Sequence, residues 1–224
     1  MKKTTILSVL LFFGSVNGAY ADTIDFRSVD FSSANWSSSF YYAPAGLTIY
    51  ASPSGATLYQ DIIDGLGVRK AYEKDEIEAC ELLHLSFDTP QILTEILITD
   101  LFKEPYNWGS GGSYLEEGQY SFDQNVWIDF EADPTQTPGT NGELTLLLTS
   151  PTVTDIWFQA PGLINCWRED HEFSVASIDV APVPEPATIL LLGSGLVGFA
   201  GFSKRTFLVQ LRTTLSRYLT RSSL

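Results

Sequence analysis

Two cysteines, two histidines and 27 acidic residues are the groups in this 224-residue chain with the most chemistry to offer. Cys80 and Cys166 stand far apart, as do His84 and His171, and no Cys-x-x-Cys or His-x-x-x-His spacing occurs. Zinc, which draws nitrogen and sulfur ligands from such short pairs, has no recognisable site. A cysteine nucleophile needs a histidine beside it. His84, however, sits between Leu83 and Leu85 in an alternating run, which places it on the polar, solvated face of a strand. No Gly-x-Ser-x-Gly elbow and no glycine loop ending in Lys-Ser/Thr is present. The carboxylate pair of a glycoside hydrolase would have nothing to single it out among so many acids. The chain reads as a non-enzyme.

Two other chemistries remain. Calcium takes hard oxygen ligands and tolerates weak sites outside cells, so Asp64, Asp75 and Glu76, with Glu78 nearby, are candidate ligands for a structural ion. A solvated acidic face is the plainer reading of the same residues. Tyr106, Trp108 and Tyr114 flank a glycine- and serine-rich stretch, Gly109 to Ser113, and could stack on sugar rings from a flexible loop. Trp36 to Tyr42 is a second aromatic loop. Rings tucked over the end of the fold are the alternative for both loops. Trp127 and Trp157 lie inside strand patterns and read as core.

The elements that must position these groups have a period of two. Leu83, Leu85 and Phe87 alternate, as do Ile92, Thr94, Ile96 and Ile98, and Val126, Ile128 and Phe130. Leu144, Leu146 and Leu148 follow the rule, then Ile156 with Phe158, and Phe173 with Val175. Ile178 and Val180 continue on the opposite parity, which predicts a bulge. Turn signals such as Asp64-Gly65, Thr89-Pro90, Asn141-Gly142 and Pro161-Gly162 punctuate the runs. Short strands at this spacing predict an all-β exported domain over 22–180, an antiparallel β-sandwich resembling a jelly roll. Residues 22–181 hold 26 acids against 6 bases, a net of −20. Such a surface repels phosphate, which excludes nucleic acid as a partner.

Both ends are basic and apolar. Met1-Lys2-Lys3, the run Ile6 to Val16 and the small-x-small triplet Ala19-Tyr20-Ala21 make a secretory signal, residues 1–21, cut to leave Asp22 first. At the other end a Pro-rich linker, 181–186, precedes sixteen uncharged residues, Ala187 to Phe202, and then Lys204-Arg205. That pattern predicts a membrane-spanning helix over 187–203, with the basic tail 204–224 cytoplasmic and the acidic body outside. Leucines and arginines interleave through the tail, either as a helix lying on anionic lipid or as a read-through of no consequence. In the oxidising compartment so reached, Cys80 and Cys166 have one possible intramolecular pairing, with two separate thiols as the alternative.

Val183-Pro184-Glu185-Pro186, the leucine- and glycine-rich span and the Lys204-Arg205 cluster resemble the PEP-CTERM sorting signal of Gram-negative bacteria. The resemblance implies that an exosortase, a membrane-embedded cysteine transpeptidase-like enzyme, recognises Pro184-Glu185-Pro186 and cuts nearby. The product would be released to, or displayed on, the cell surface or extracellular matrix. The body is also similar to one group of such proteins at Gly65-Leu66-Gly67-Val68, Asp75-Glu76-Ile77, Glu117-Gly118-Gln119-Tyr120 and Asn141-Gly142-Glu143-Leu144, which carries no known activity. The expected partners are the secretion machinery, an exosortase, membrane lipid and extracellular polysaccharide. The expected role is structural or adhesive. A carbohydrate-binding module built on Trp108 is the alternative, and a secreted glycan hydrolase a third.

Overall fold

A computed structural model of the chain describes residues 21–70, 76–105, 113–135, 142–161, 171–183 and 193–195. The chain divides into two compact units, Met1–Val183 and Pro184–Leu224. In the second, residues 193–195 are helical. Among the described residues no helix is long and apolar enough to cross a membrane. The rest of the expected span, the basic tail and the leader up to residue 20 lie outside the described residues.

The first unit is built of antiparallel strands. In chain order they are β1 (Asp22–Asp25), β2 (Ser39–Tyr42), β3 (Leu47–Ser52), β4 (Thr57–Asp61), β5 (Gly65–Arg69), β6 (Leu82–Thr99), β7 (Lys103–Pro105), β8 (Ser113–Leu115), β9 (Glu117–Ser121), β10 (Trp127–Glu131), β11 (Leu144–Leu147), β12 (Thr152–Gln159) and β13 (Ser174–Pro182). β7 and β8 pair with each other; the other eleven join in one sheet. Strand β6 organises it. Its first half pairs with β3 on one side and β12 on the other, and its second half pairs with β13 and β11.

The parity of β6 explains how one strand serves both halves. Leu83, Leu85 and Phe87 point inward and are buried, as the alternation predicts. Beyond the Thr89-Pro90 dipeptide the buried hydrophobic residues are Leu93, Ile96 and Ile98. Ile92, expected inward, is half-exposed instead. The pairing with β13 passes from Asp179–Glu95 directly to Val180–Leu93, so Thr94 is an extra residue that reverses the faces. Its hydroxyl donates to the Asp179 carbonyl at 3.2 Å. A second register shift, between Val175 and Ser177, is the bulge that the sequence implied. Val126 and Ile128 depart from expectation too. Val126 sits in the β9–β10 turn and Ile128 on the last strand of its side of the sheet, and both are exposed.

The sheet curls over on itself. Phe130 of β10 and Phe173, beside the start of β13, are separated in the sheet by β9, β12 and β6. Their rings nevertheless meet edge-to-face at 5.1 Å. Gly118 makes the approach possible, since a Cβ there would fall 2.2 Å from the Phe130 Cζ. One continuous core results, running from Leu47 and Ile49 of β3 to Ile178 and Val180 of β13. Each large side chain fully buried in it contributes about 1.5–3 kcal/mol of transfer free energy.

Cys80, in a left-handed backbone conformation (φ 68°), is disulfide-bonded. The other cysteine of the chain, Cys166, lies outside the described residues. Asp22 opens β1 opposite Val180, and the Thr23 hydroxyl donates to Asp179 Oδ1 at 2.6 Å. The residue expected to become the mature N-terminus is thus bound to the strand that leads into the sorting segment.

Candidate functional site

Alternation along a strand that carries core residues on one face must display the intervening residues on the other. In β12, Ile156 and Phe158 are fully buried, so Trp157 and Gln159 stand on the outer face. Register places His84 of β6 opposite Trp157, and Tyr50 of β3 opposite His84. On the other side Trp157 is opposite Ser121 of β9, which is opposite Trp127 of β10. Five strands therefore contribute one row: Tyr50, His84, Trp157, Ser121, Trp127.

Three rings of this row, those of Tyr50, His84 and Trp157, pack on one another. Tyr50 and His84 stack with centroids 5.4 Å apart and planes 24° apart. His84 and Trp157 stack more closely, at 4.7 Å and 13°. Tyr50 is 42% exposed, while Trp127 and Trp157 are half-buried. Ser121 is fully covered, its hydroxyl donating to the Val126 carbonyl at 2.7 Å and so fixing the β9–β10 turn.

A polar row runs beside the aromatic one. Gln159 Nε2 donates to Gln119 Oε1 at 2.9 Å, and Gln119 Nε2 donates to Asp129 Oδ1 at 2.6 Å. Across the aromatic row lies Asp155, whose Oδ1 is 2.8 Å from His84 Nε2. Burial raises the Asp155 carboxyl, but hydrogen bonds from His84, Thr154 and Ser86 and the attraction of His84 together outweigh it. The net displacement is below the ordinary aspartate value. An ionised Asp155 only accepts, which turns the Nε2 proton of His84 toward it and holds the ring upright in the stack.

Stacked apolar faces bordered by amide and carboxylate groups suit a ligand with an apolar face and hydroxylated edges. The stacked rings turn their faces toward one another and their C–H edges outward, and the amides and carboxylates beside them supply directed donors and acceptors. The sequence reading assigned Trp127 and Trp157 to the core; the structure places both on the outer face. The alternation of Ile156 with Phe158 holds, and it is what turns Trp157 between them outward. His84 was expected to be solvated, and it is instead wedged between two rings.

The other expected positions fare differently. Tyr106 and Trp108 lie outside the described residues. Tyr114, in β8, packs edge-to-face against His171 at 6.0 Å. In the second aromatic loop Trp36 is 64% exposed, but the Arg69 guanidinium covers its ring at 4.6 Å. Of the calcium candidates, Asp64 accepts the Thr99 hydroxyl through its backbone carbonyl, and Asp75 lies outside the described residues. Glu76 is grouped with Glu78 and with Glu172, which the sequence reading missed; one oxygen from each lies within 4.8 Å of the others. Three carboxylates this close repel one another unless a cation or proton is shared. Glu172 is nearly a hundred residues away in the chain, and the Ile77–Phe173 bridge brings it there.

Ala21 and Asp22 of the expected signal cleavage site are described, Ala19 is not. Val183 is the last described residue before the segment of Pro184, Glu185 and Pro186, which lies outside the described residues, as do Lys204 and Arg205. A family model for the PEP-CTERM protein-sorting motif matches residues 182–205. The chain carries a PEP-CTERM sorting motif. That motif marks an exported, membrane-sorted protein handled by an exosortase. It begins at Pro182, which is also the last residue of β13 and is paired with Gln91.

No curated protein matches the chain. Among solved structures, one likeness is to CBM32-3 from a family 31 glycoside hydrolase of Clostridium perfringens. It has 14% identity and a TM-score of 0.27, covering 61% of this chain and 76% of that one. A likeness so slight bears on neither fold nor function.

Proposed function

We propose that this PEP-CTERM protein is a non-enzymatic adhesive component of the cell surface or extracellular matrix, whose curled sheet works as a β-sandwich that holds polysaccharide. A signal peptide exports it, a membrane helix over 187–203 retains it with the body outside, and exosortase action near Pro184-Glu185-Pro186 frees or transfers it. The observation that carries the adhesive reading is the row Tyr50–His84–Trp157 with Trp127 beyond it, bordered by the Gln159–Gln119–Asp129 ladder. Core formation requires none of these outer-face rings.

The arrangement around His84 supports binding over catalysis. Ser86 bonds to Asp155, not to the imidazole, so the ring activates no hydroxyl there. The test is depletion of the full-length protein, in mild detergent, by insoluble neutral and acidic polysaccharides. Native protein is expected in the pellet of at least one polysaccharide, and Trp157→Ala in the supernatant. Equal pelleting of the two proteins would overturn the assignment of this face. Release of reducing sugar from any pelleted polysaccharide would overturn the non-enzymatic reading.

A further inference from the structure

The row spans five strands, and those strands carry no lysine or arginine. From Tyr50 on β3 to Trp127 on β10 there are four strand intervals, about 19 Å at ~4.8 Å each. Lys and Arg are absent from β3, β6, β9, β10 and β12, whereas Asp129 and Asp155 flank the rings. The Gln159–Gln119–Asp129 ladder runs in the same direction as the row, along the hydrogen-bonding direction of the sheet.

We infer that the face takes a linear, neutral polysaccharide lying across the strands and bound along its interior, not at a chain end. This deepens the adhesive reading and rests on it. A pyranose ring with its glycosidic link advances by about one strand spacing, so the row offers contact to roughly four consecutive sugars. The sugars' apolar C–H surfaces lie along the outward edges of the Tyr50–His84–Trp157 stack and on the exposed part of Trp127. Their equatorial hydroxyls meet Gln119 and Asp129 on one flank, with the buried Gln159 holding Gln119 in place, and Asp155 on the other. Polyuronates are rejected, because their carboxylates would meet Asp129 and Asp155 with no cation between them. A protein partner fits less well, since it would bring its own apolar side chains to a strip whose borders are continuously polar.

The test measures affinity of the full-length protein for neutral β-glucan oligosaccharides of two to six residues and for oligogalacturonates of equal length. Affinity should climb with each neutral residue to a plateau near four, about tenfold or more above the disaccharide, with no measurable oligogalacturonate binding. Trp127→Ala and Tyr50→Ala, at the two ends of the row, should each bring the plateau to a shorter chain. Flat dependence on length combined with loss of binding in Trp157→Ala would overturn the linear-chain inference and leave the adhesive reading standing. Oligogalacturonate binding equal to that of the neutral series would overturn the charge argument. Binding of neither series by a protein that pellets with no polysaccharide would bring down the adhesive reading itself.

Discussion

The sorting segment and the aromatic face are two recognition surfaces of one chain, written in opposite ways. Residues 182–205 are contiguous, and their meaning lies in the order of a few residues, an apolar stretch and two cations. The face draws Tyr50, His84, Ser121, Trp127 and Trp157 from five strands over more than a hundred residues. A processing enzyme reads a peptide, so its signal must survive as a sequence. A rigid ligand reads a surface, so its site exists only after the sheet has closed.

Breaking the linear signal should have the largest effect. Replacing Pro184, Glu185 and Pro186 together with Ala should abolish release: the protein should remain with the membrane fraction, its C-terminal segment 187–224 still attached. Mass spectrometry of the medium and membrane fractions checks this. Undiminished release of a shortened chain would show that the motif is not what the processing enzyme reads. Polysaccharide binding by the retained protein should be unchanged, because every residue of the face belongs to the first unit.

The second break is made within one strand. Phe158 and Trp157 are neighbours in β12, the first fully buried in the core and the second half-exposed over His84. Phe158→Ala should cost about 3–5 kcal/mol of stability, since it leaves a cavity in a close-packed interior. Trp157→Ala should cost about 1–2 kcal/mol, because only part of its surface is removed from water. Urea denaturation of the two variants measures the difference. If Trp157→Ala proves as costly as Phe158→Ala, the tryptophan is a core residue after all and the face loses its centre.

This contrast also marks what could be read before the fold was known. Antiparallel β architecture was legible because alternation is local: Leu83-x-Leu85-x-Phe87 and Ile156-x-Phe158 each carry it in a few residues. Which face a tryptophan takes was not, since tryptophan is apolar enough for the core and large enough to remain half outside it. His84 was placed on the correct face, but its neighbours there depend on pairings of β6 with β3 and β12 that no local window contains. Ile92 was misplaced by one bulged residue, Thr94, and a bulge of this kind appears only in the pairing with β13. The Glu76–Glu78–Glu172 grouping shows the same limit, because its third member arrives from the far end of the chain.

The smallest expected effect tests the polar support of the ring stack. Asp155 is held below its ordinary value, so folding favours its ionised form. A carboxyl lowered in this way contributes stability that is fully present above its unfolded value, near 3.8, and is lost as pH falls through the lower folded value. Asp155→Asn should therefore be less stable than the native protein by about 0.5–1 kcal/mol at neutral pH, the scale of a partly exposed charged pair. That gap should hold while pH stays above the unfolded value and close as pH falls below it and through the lower folded value, where the native carboxylate takes up its proton. Urea titrations of both proteins at several pH values give the curve. A gap that stayed constant into acid would mean that Asp155 acts by packing alone. The upright His84 would then owe its orientation to Tyr50 and Trp157, and the face would be held by its rings without help from charge.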